Sequence, residues 1–177
     1  MRGLILEYSL PGLLIEPLPD QFEKLVRNYS GSRGLIFENV AIDEKPGVVQ
    51  IYRVARNRAK FDWQEGIASF DRNHLIKNRI ARVADSDIET LQVQATTVTA
   101  LLVKHSVRHI DLLQVDTEGH DYVIVKSVLD SGCFPSIIRY EHVNLTPEMN
   151  YVCRVLLDSH RYRFLELGPD TIAVRRK

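Results

Sequence analysis

The stretch from Ile110 to Asp121, reading I-D-L-L-Q-V-D-T-E-G-H-D, constrains this chain most. Ile110, Leu112, Leu113 and Val115 form a short apolar run, which suits a strand buried on both faces of a parallel sheet. The run stops at Asp116, and a helical pattern begins near His120. Gly119 supplies a permissive backbone for the turn between them. Open α/β sheets place their ligands outside the carboxyl ends of the strands. Asp116, Glu118, His120 and Asp121 therefore crowd one loop at a candidate site. The same acids would also serve to cap the next helix and favour its N-terminal dipole, and the stretch alone leaves both readings open.

The rest of the chain repeats the strand-then-helix pattern. Residues 3–10 read as the last turns of a helix closed by Pro11-Gly12. Leu13-Leu14-Ile15 is a short strand ending at Glu16-Pro17, and Asp20 opens an amphipathic helix with Phe22, Leu25, Val26 and Tyr29 inward. Leu35–Ile42 is a third strand, with Val48–Val54 as its hairpin partner across Gly47. Val93–Ala95 is a short strand, and Thr97 caps a helix from Val98 to His105. Tyr122, Val125, Val128 and Leu129 face inward on the helix after the acid turn, followed by a strand at Ser136–Tyr140. Thr146-Pro147-Glu148 starts a helix that buries Val152, Leu156 and Leu157. Arg163–Leu167 and Thr171–Val174, joined by Gly168-Pro169-Asp170, make an antiparallel hairpin. The expected fold is α/β: a Rossmann-like, doubly wound, mostly parallel sheet with a C-terminal antiparallel hairpin, built as one domain over residues 1–177.

Residues 55–92 break this regularity and read as an irregular basic insertion or lid. Arg53, Arg56, Arg58 and Lys60 precede Phe61 and Trp63, and Arg72, Lys77, Arg79 and Arg82 follow. The bases read either as a solvated face or as a patch for an anionic or sugar-like group. Phe61 and Trp63 fit stacking on a ring, although a single Trp more often belongs to a core.

Bulk properties narrow the classes. Lys plus Arg and Asp plus Glu each number 23, so nothing global points to nucleic acid or an acidic membrane. Cys133 and Cys153 lack a CxxC spacing, which excludes a disulfide framework and a cysteine zinc site and fits a reducing, cytoplasmic compartment. The apolar runs are too short for a membrane span, and Glu7 interrupts the only N-terminal candidate for a signal peptide. The chain has no GxSxG, P-loop, HExxH or GxGxxG.

Two constellations carry chemistry. Glu16, at a strand end before a helix, reads as an acceptor for a ribose diol or as a helix-capping acid. Asp116, Glu118 and His120 come from one strand end, and Glu141 and His142 from the next. They fit a general base. A divalent metal on Asp116, Glu118 and His142 is a weaker reading, because no signature is complete, and no metal is assigned. His74, His105, His109 and His160 read as surface or packing residues.

Five blocks in order are more specific than any one of them: L-L-I-E-P-L-P-D-Q-F-E-K-L at 13–25, N-V-A-I-D at 39–43, A-S-F at 68–70, the 110–121 stretch, and I-I-R-Y-E-H at 137–142. Together they resemble the FkbM-type methyltransferases, a branch of the class I S-adenosylmethionine-dependent enzymes. The resemblance implies methyl transfer to a hydroxyl oxygen, and the basic insertion points to a small molecule or sugar as the acceptor. It implies that Glu16 binds the cofactor ribose, that Ala41 lies beside the adenine, and that Asp116 lies beside the methyl donor. For the proton it points to Asp116 or Glu118, with His120 or His142 behind them. The family opens with a strand and a glycine-rich loop that have no counterpart in these residues. The expected fold is thus N-terminally truncated, with sheet edges open to homo-oligomerisation. The alternative function is a non-catalytic domain of the same fold acting in binding or assembly.

Overall fold

The computed structural model describes residues 2–77 and 83–176. It is a mixed α/β structure in which ten strands form three groups. A parallel pair joins β1 (Gly12–Ile15) to β2 (Leu35–Glu38). A four-stranded sheet runs β7 (Leu112–Val115), β8 (Ile137–Glu141), β10 (Asp170–Arg175), β9 (Tyr162–Leu167), parallel at its first pair and antiparallel afterwards. A second mixed sheet runs β3 (Ala41–Ile42), β6 (Ile88–Thr96), β4 (Gly47–Val54), β5 (Ala68–Ser69). A single doubly wound sheet is therefore not what the strands form. The parallel pairs and the C-terminal hairpin are present, and the hairpin turns at Gly168-Pro169.

The main core lies between the β7–β8–β10–β9 sheet and three helices: α4 (Val98–Lys104), α5 (Asp121–Asp130) and α6 (Pro147–Ser159). Val115, Ile138, Tyr140 and Ala173 supply the sheet side, and Val98, Leu101, Val125, Val128, Leu129, Cys153 and Leu157 the helix side. Both helix caps read from the sequence form: Thr97 Oγ1 accepts from Ala100 N and Thr146 Oγ1 from Met149 N. We expect Thr146→Ala to cost about 1 kcal/mol in denaturant unfolding, the usual value of an N-cap side chain.

The differences from expectation have local causes. The run at 110–115 is not buried on both faces: Leu113 and Val115 meet the core, while Leu112 is 39% exposed and Gln114 is exposed. The strand expected at 35–42 breaks at Asn39, whose side-chain amide donates to the carbonyls of Glu16 and Pro17, and the chain crosses from one sheet to another. β4 does not pair with the strand before it. Its partner is β6, which runs from Ile88 and not from Val93, in an eight-residue antiparallel register. On α6 Leu157 is buried and Leu156 partly so, as expected, but Cys153 is buried in place of Val152, which is 44% exposed. On α5, Ile124 is buried as well, while Tyr122 packs on the core partly buried; α2 (Pro19–Asn28) fully buries none of its own residues, but Tyr29 at its end is buried.

The insertion is more ordered than its composition implies. A 3-10 turn (Asp62–Gly66), strand β5 and helix α3 (Arg72–Lys77) surround a small core of their own, made by Val54, Ile67, Leu75, Val83 and Ile88. Trp63 is not a core residue: it is 47% exposed and stacks on exposed Phe61, with ring centroids 6.1 Å apart. Arg53 is buried, bonded to Asp20 and Glu89, so it belongs to the scaffold and not to a solvated face. Arg79 and Arg82 lie outside the described residues, as does the side chain of Lys77. Helix α1 (Arg2–Tyr8) buries none of its residues. Among the described residues no helix is long and apolar enough to cross a membrane. Both cysteines are free.

Candidate active site

β7 and β8 are parallel neighbours, so their carboxyl ends lie side by side, with Val115 opposite Tyr140. The next residues are Asp116 and Glu141. Asp116, Glu118 and Glu141 each bring a carboxylate oxygen within 4.8 Å of the other two. Of the five residues expected at these two strand ends, the structure joins three there.

Asp121 fixes this arrangement from beneath. It is fully buried at the start of α5. One of its oxygens accepts from Thr117 N (3.3 Å) and Thr117 Oγ1 (2.9 Å), and the other accepts from Glu141 N (3.0 Å). A single carboxylate thus ties the turn after β7 to the end of β8. Asp121 does not cap α5: its partners lie in the turn before the helix and at the end of β8.

Glu118 has a left-handed backbone (φ 50°), which is uncommon for a non-glycine residue, and Gly119 follows at φ 103°. The side chain of Glu118 does not hang free. Its Oε2 accepts from Asn144 Nδ2 (2.9 Å) and lies 3.1 Å from His74 Nε2, while its backbone carbonyl accepts from Ser69 Oγ (2.8 Å). Asn144 Nδ2 also donates to Glu141 Oε2. A Cβ on Gly119 would stand 3.2 Å from the carbonyl of Asn144 and 3.6 Å from His74 Nδ1. Strain and crowding act together there. We expect Gly119→Ala to destabilise the domain by about 1–3 kcal/mol in chemical denaturation, where the same change at surface Gly3 has little effect.

The charges explain the protonation. Burial, and then the charges of Asp116, Glu118 and Asp121, push the Glu141 carboxyl up to about 7. Asp116 is raised as well, by burial and by Glu118, Asp121 and Asp170. Three carboxylates this close do not all ionise readily, and Glu141 is the one placed to hold a proton near neutrality.

The other expected residues lie apart from this cluster. His142 points to the sheet, with Nδ1 3.1 Å from the hydroxyl of buried Thr171. His120 begins α5, packs on Phe70 (centroids 4.4 Å apart) and has Nε2 3.6 Å from Asp43. Burial lowers the pKa of His120, which favours its neutral form. Glu16 ends β1 on a partly buried site, and its Oε1 accepts from Leu18 N at 2.9 Å. Burial raises its carboxyl above the ordinary range. Ala41 is buried among Leu18, Ile51, Val93 and Ala95, so any ligand would meet its backbone and not its methyl group.

Sequence reasoning missed His74, Ser69 and Asn144. Ser69 lay within the A-S-F block, and His74 follows it by five residues. Asn144 comes three residues after Glu141, in the loop before the Thr146 cap. Neither position carries a spacing signal of its own.

The family model of the Methyltransferase FkbM domain matches residues 7–164. That span contains the acid turn, the Glu141 strand end and the insertion. The chain belongs to the FkbM methyltransferase family. No curated protein and no solved structure matches it. In this FkbM domain the blocks that carried the resemblance are also the ones that meet in space. A-S-F reaches the acid turn through Ser69 and Phe70, and N-V-A-I-D reaches it through Asp43.

Proposed function

We propose that this FkbM domain binds S-adenosylmethionine and methylates a hydroxyl oxygen of a small molecule or sugar, with Glu141 as general base. The observation that carries the reading is the carboxylate cluster at the ends of β7 and β8, with Glu141 poised near neutrality. A general base is most effective when its pKa lies near the working pH. Asp116 lines the exposed side of the cluster, where an acceptor hydroxyl can approach. Glu118 is engaged by Asn144 and His74 and orients the group. When bound, the cofactor supplies an electrophilic methyl group on a sulfonium. The chain's own residues align the acceptor oxygen and take its proton.

The residues at β1 fit the ribose end of that cofactor. Glu16 spends one oxygen on Leu18 N and keeps Oε2 for a hydroxyl donor. Ala41 and Asp43 line the neighbouring strand end, with Asp43 near His120. A cytoplasmic setting fits two unpaired thiols. A Rossmann-like sheet to which β1–β2 and β7–β8 both belong is part of this reading.

Calorimetric titration with S-adenosylhomocysteine tests the cofactor, since the demethylated product cannot react. We expect saturable binding, weakened by about tenfold or more in Glu16→Ala, the scale of losing a charged hydrogen bond. A folded chain that takes up no ligand would sink the reading.

A second reading keeps the fold without the chemistry. Among the described residues β1 pairs only with β2 and β7 only with β8, so each leaves one open edge. An assembly role predicts oligomers through those edges, and a clean monomer in sedimentation would remove it.

A further inference from the structure

We infer that His74 is a positioning residue of the acid site, through which the insertion sets the strained turn carrying Glu118. The inference rests on the methyltransferase reading for its purpose, and on contacts within this chain for its substance.

A non-glycine residue in the left-handed region is strained and persists when its surroundings over-determine it. Glu118 at φ 50° is held at three points. Ser69 Oγ donates to its carbonyl, His74 Nε2 faces its carboxylate, and Asn144 Nδ2 donates to the same carboxylate oxygen. Two of the three come from the insertion. A fourth contact joins the same surfaces: Phe70 packs on His120, two residues beyond Glu118.

The described part of the insertion anchors this geometry on its own packing. Leu75, next to His74, is fully buried in the insertion's own core with Val54 and Ile67. Ser69 also accepts from Asp71 N, which ties the start of α3 to β5. Because a carboxylate only accepts, the His74 nitrogen facing Glu118 carries the proton. Removing that donor frees the Glu118 side chain to leave Glu141. The insertion thus forms one wall of the acid site, and His74 is where it grips.

Hydrogen exchange of the full chain tests this, with S-adenosylhomocysteine calorimetry on the same samples. His74→Ala should speed exchange across 116–121 and 68–74 together by about tenfold, the effect of losing one hydrogen bond to a charged group. His74→Gln, which keeps an N–H donor, should restore most of the protection. Ser69→Ala should raise exchange in the same two segments and serves if His74→Ala does not fold. Cofactor affinity should fall by less than in Glu16→Ala, because Glu16 lies on another strand. Unchanged exchange in the acid turn for both alanine variants, or a His74→Gln variant as loose as His74→Ala, would overturn the inference. Coupled exchange without ligand binding would leave it standing and count against the methyltransferase reading alone.

Discussion

Replacing Asp121 with alanine is expected to destabilise the domain by about 3–5 kcal/mol, the largest effect of any single change near the site. The reason is the number of groups it serves. Asp121 is fully buried and accepts from two backbone N–H groups and one hydroxyl. Alanine leaves all three donors without their partner, away from water, and each such orphan costs about 1–3 kcal/mol. Asp121→Asn should cost less, because one oxygen remains, but its amide would face a donor. Equilibrium unfolding in urea checks the order: alanine worst, asparagine intermediate. An Asp121→Ala domain as stable as the unaltered chain would mean that these donors find other partners. Since Glu141 N is one of them, the same change should also loosen the end of β8.

Replacing Glu141 with glutamine is expected to change stability in a way that depends on pH. The Glu141 pKa is raised from 4.5 to about 7 in the folded chain. The folded state therefore holds a proton that the unfolded state has released between those values. Stability from this group is fully present below about 4.5 and is lost as pH rises through about 7. Glutamine is neutral throughout and escapes that loss. Glu141→Gln should thus match the unaltered chain at pH 4 and exceed it at pH 8 by about 1–2 kcal/mol, a figure discounted for partial exposure. Thermal melts at the two values check it. If Glu141 is the base, the same variant should lose methyl transfer by about a hundredfold or more at every pH. More stable and inactive is the signature of a residue kept for chemistry.

What the sequence made legible were the short-range signals. Thr97 and Thr146 cap their helices because a hydroxyl before a helical pattern answers a local need of the backbone. The β9–β10 hairpin follows from a turn too tight for any other pairing. The convergence of Asp116, Glu118 and Glu141 follows from two parallel strands that end together. Long-range choices were not legible. β4 chose β6 over the adjacent strand, and nothing in its own residues names a partner some forty positions away. His74 and Glu118 are 44 residues apart, and their contact exists only because the insertion folds around Leu75. The error on α6 was smaller in kind: Val152 and Cys153 differ by one position, about 100° of helix, and both are apolar. Exposed Trp63 shows the limit of composition, since its stacking on Phe61 is a surface feature of a folded insertion.

The central claim is that cofactor and chemistry share the strand ends of β1 and β7–β8. Amide NMR of the labelled chain, titrated with S-adenosylhomocysteine, tests it most directly. The account predicts shifts at Glu16 and Leu18, at Asp43, and across Asp116–His120, with β9 at the far edge of the sheet unmoved. Shifts confined to other surfaces, or none in a folded domain, would contradict it.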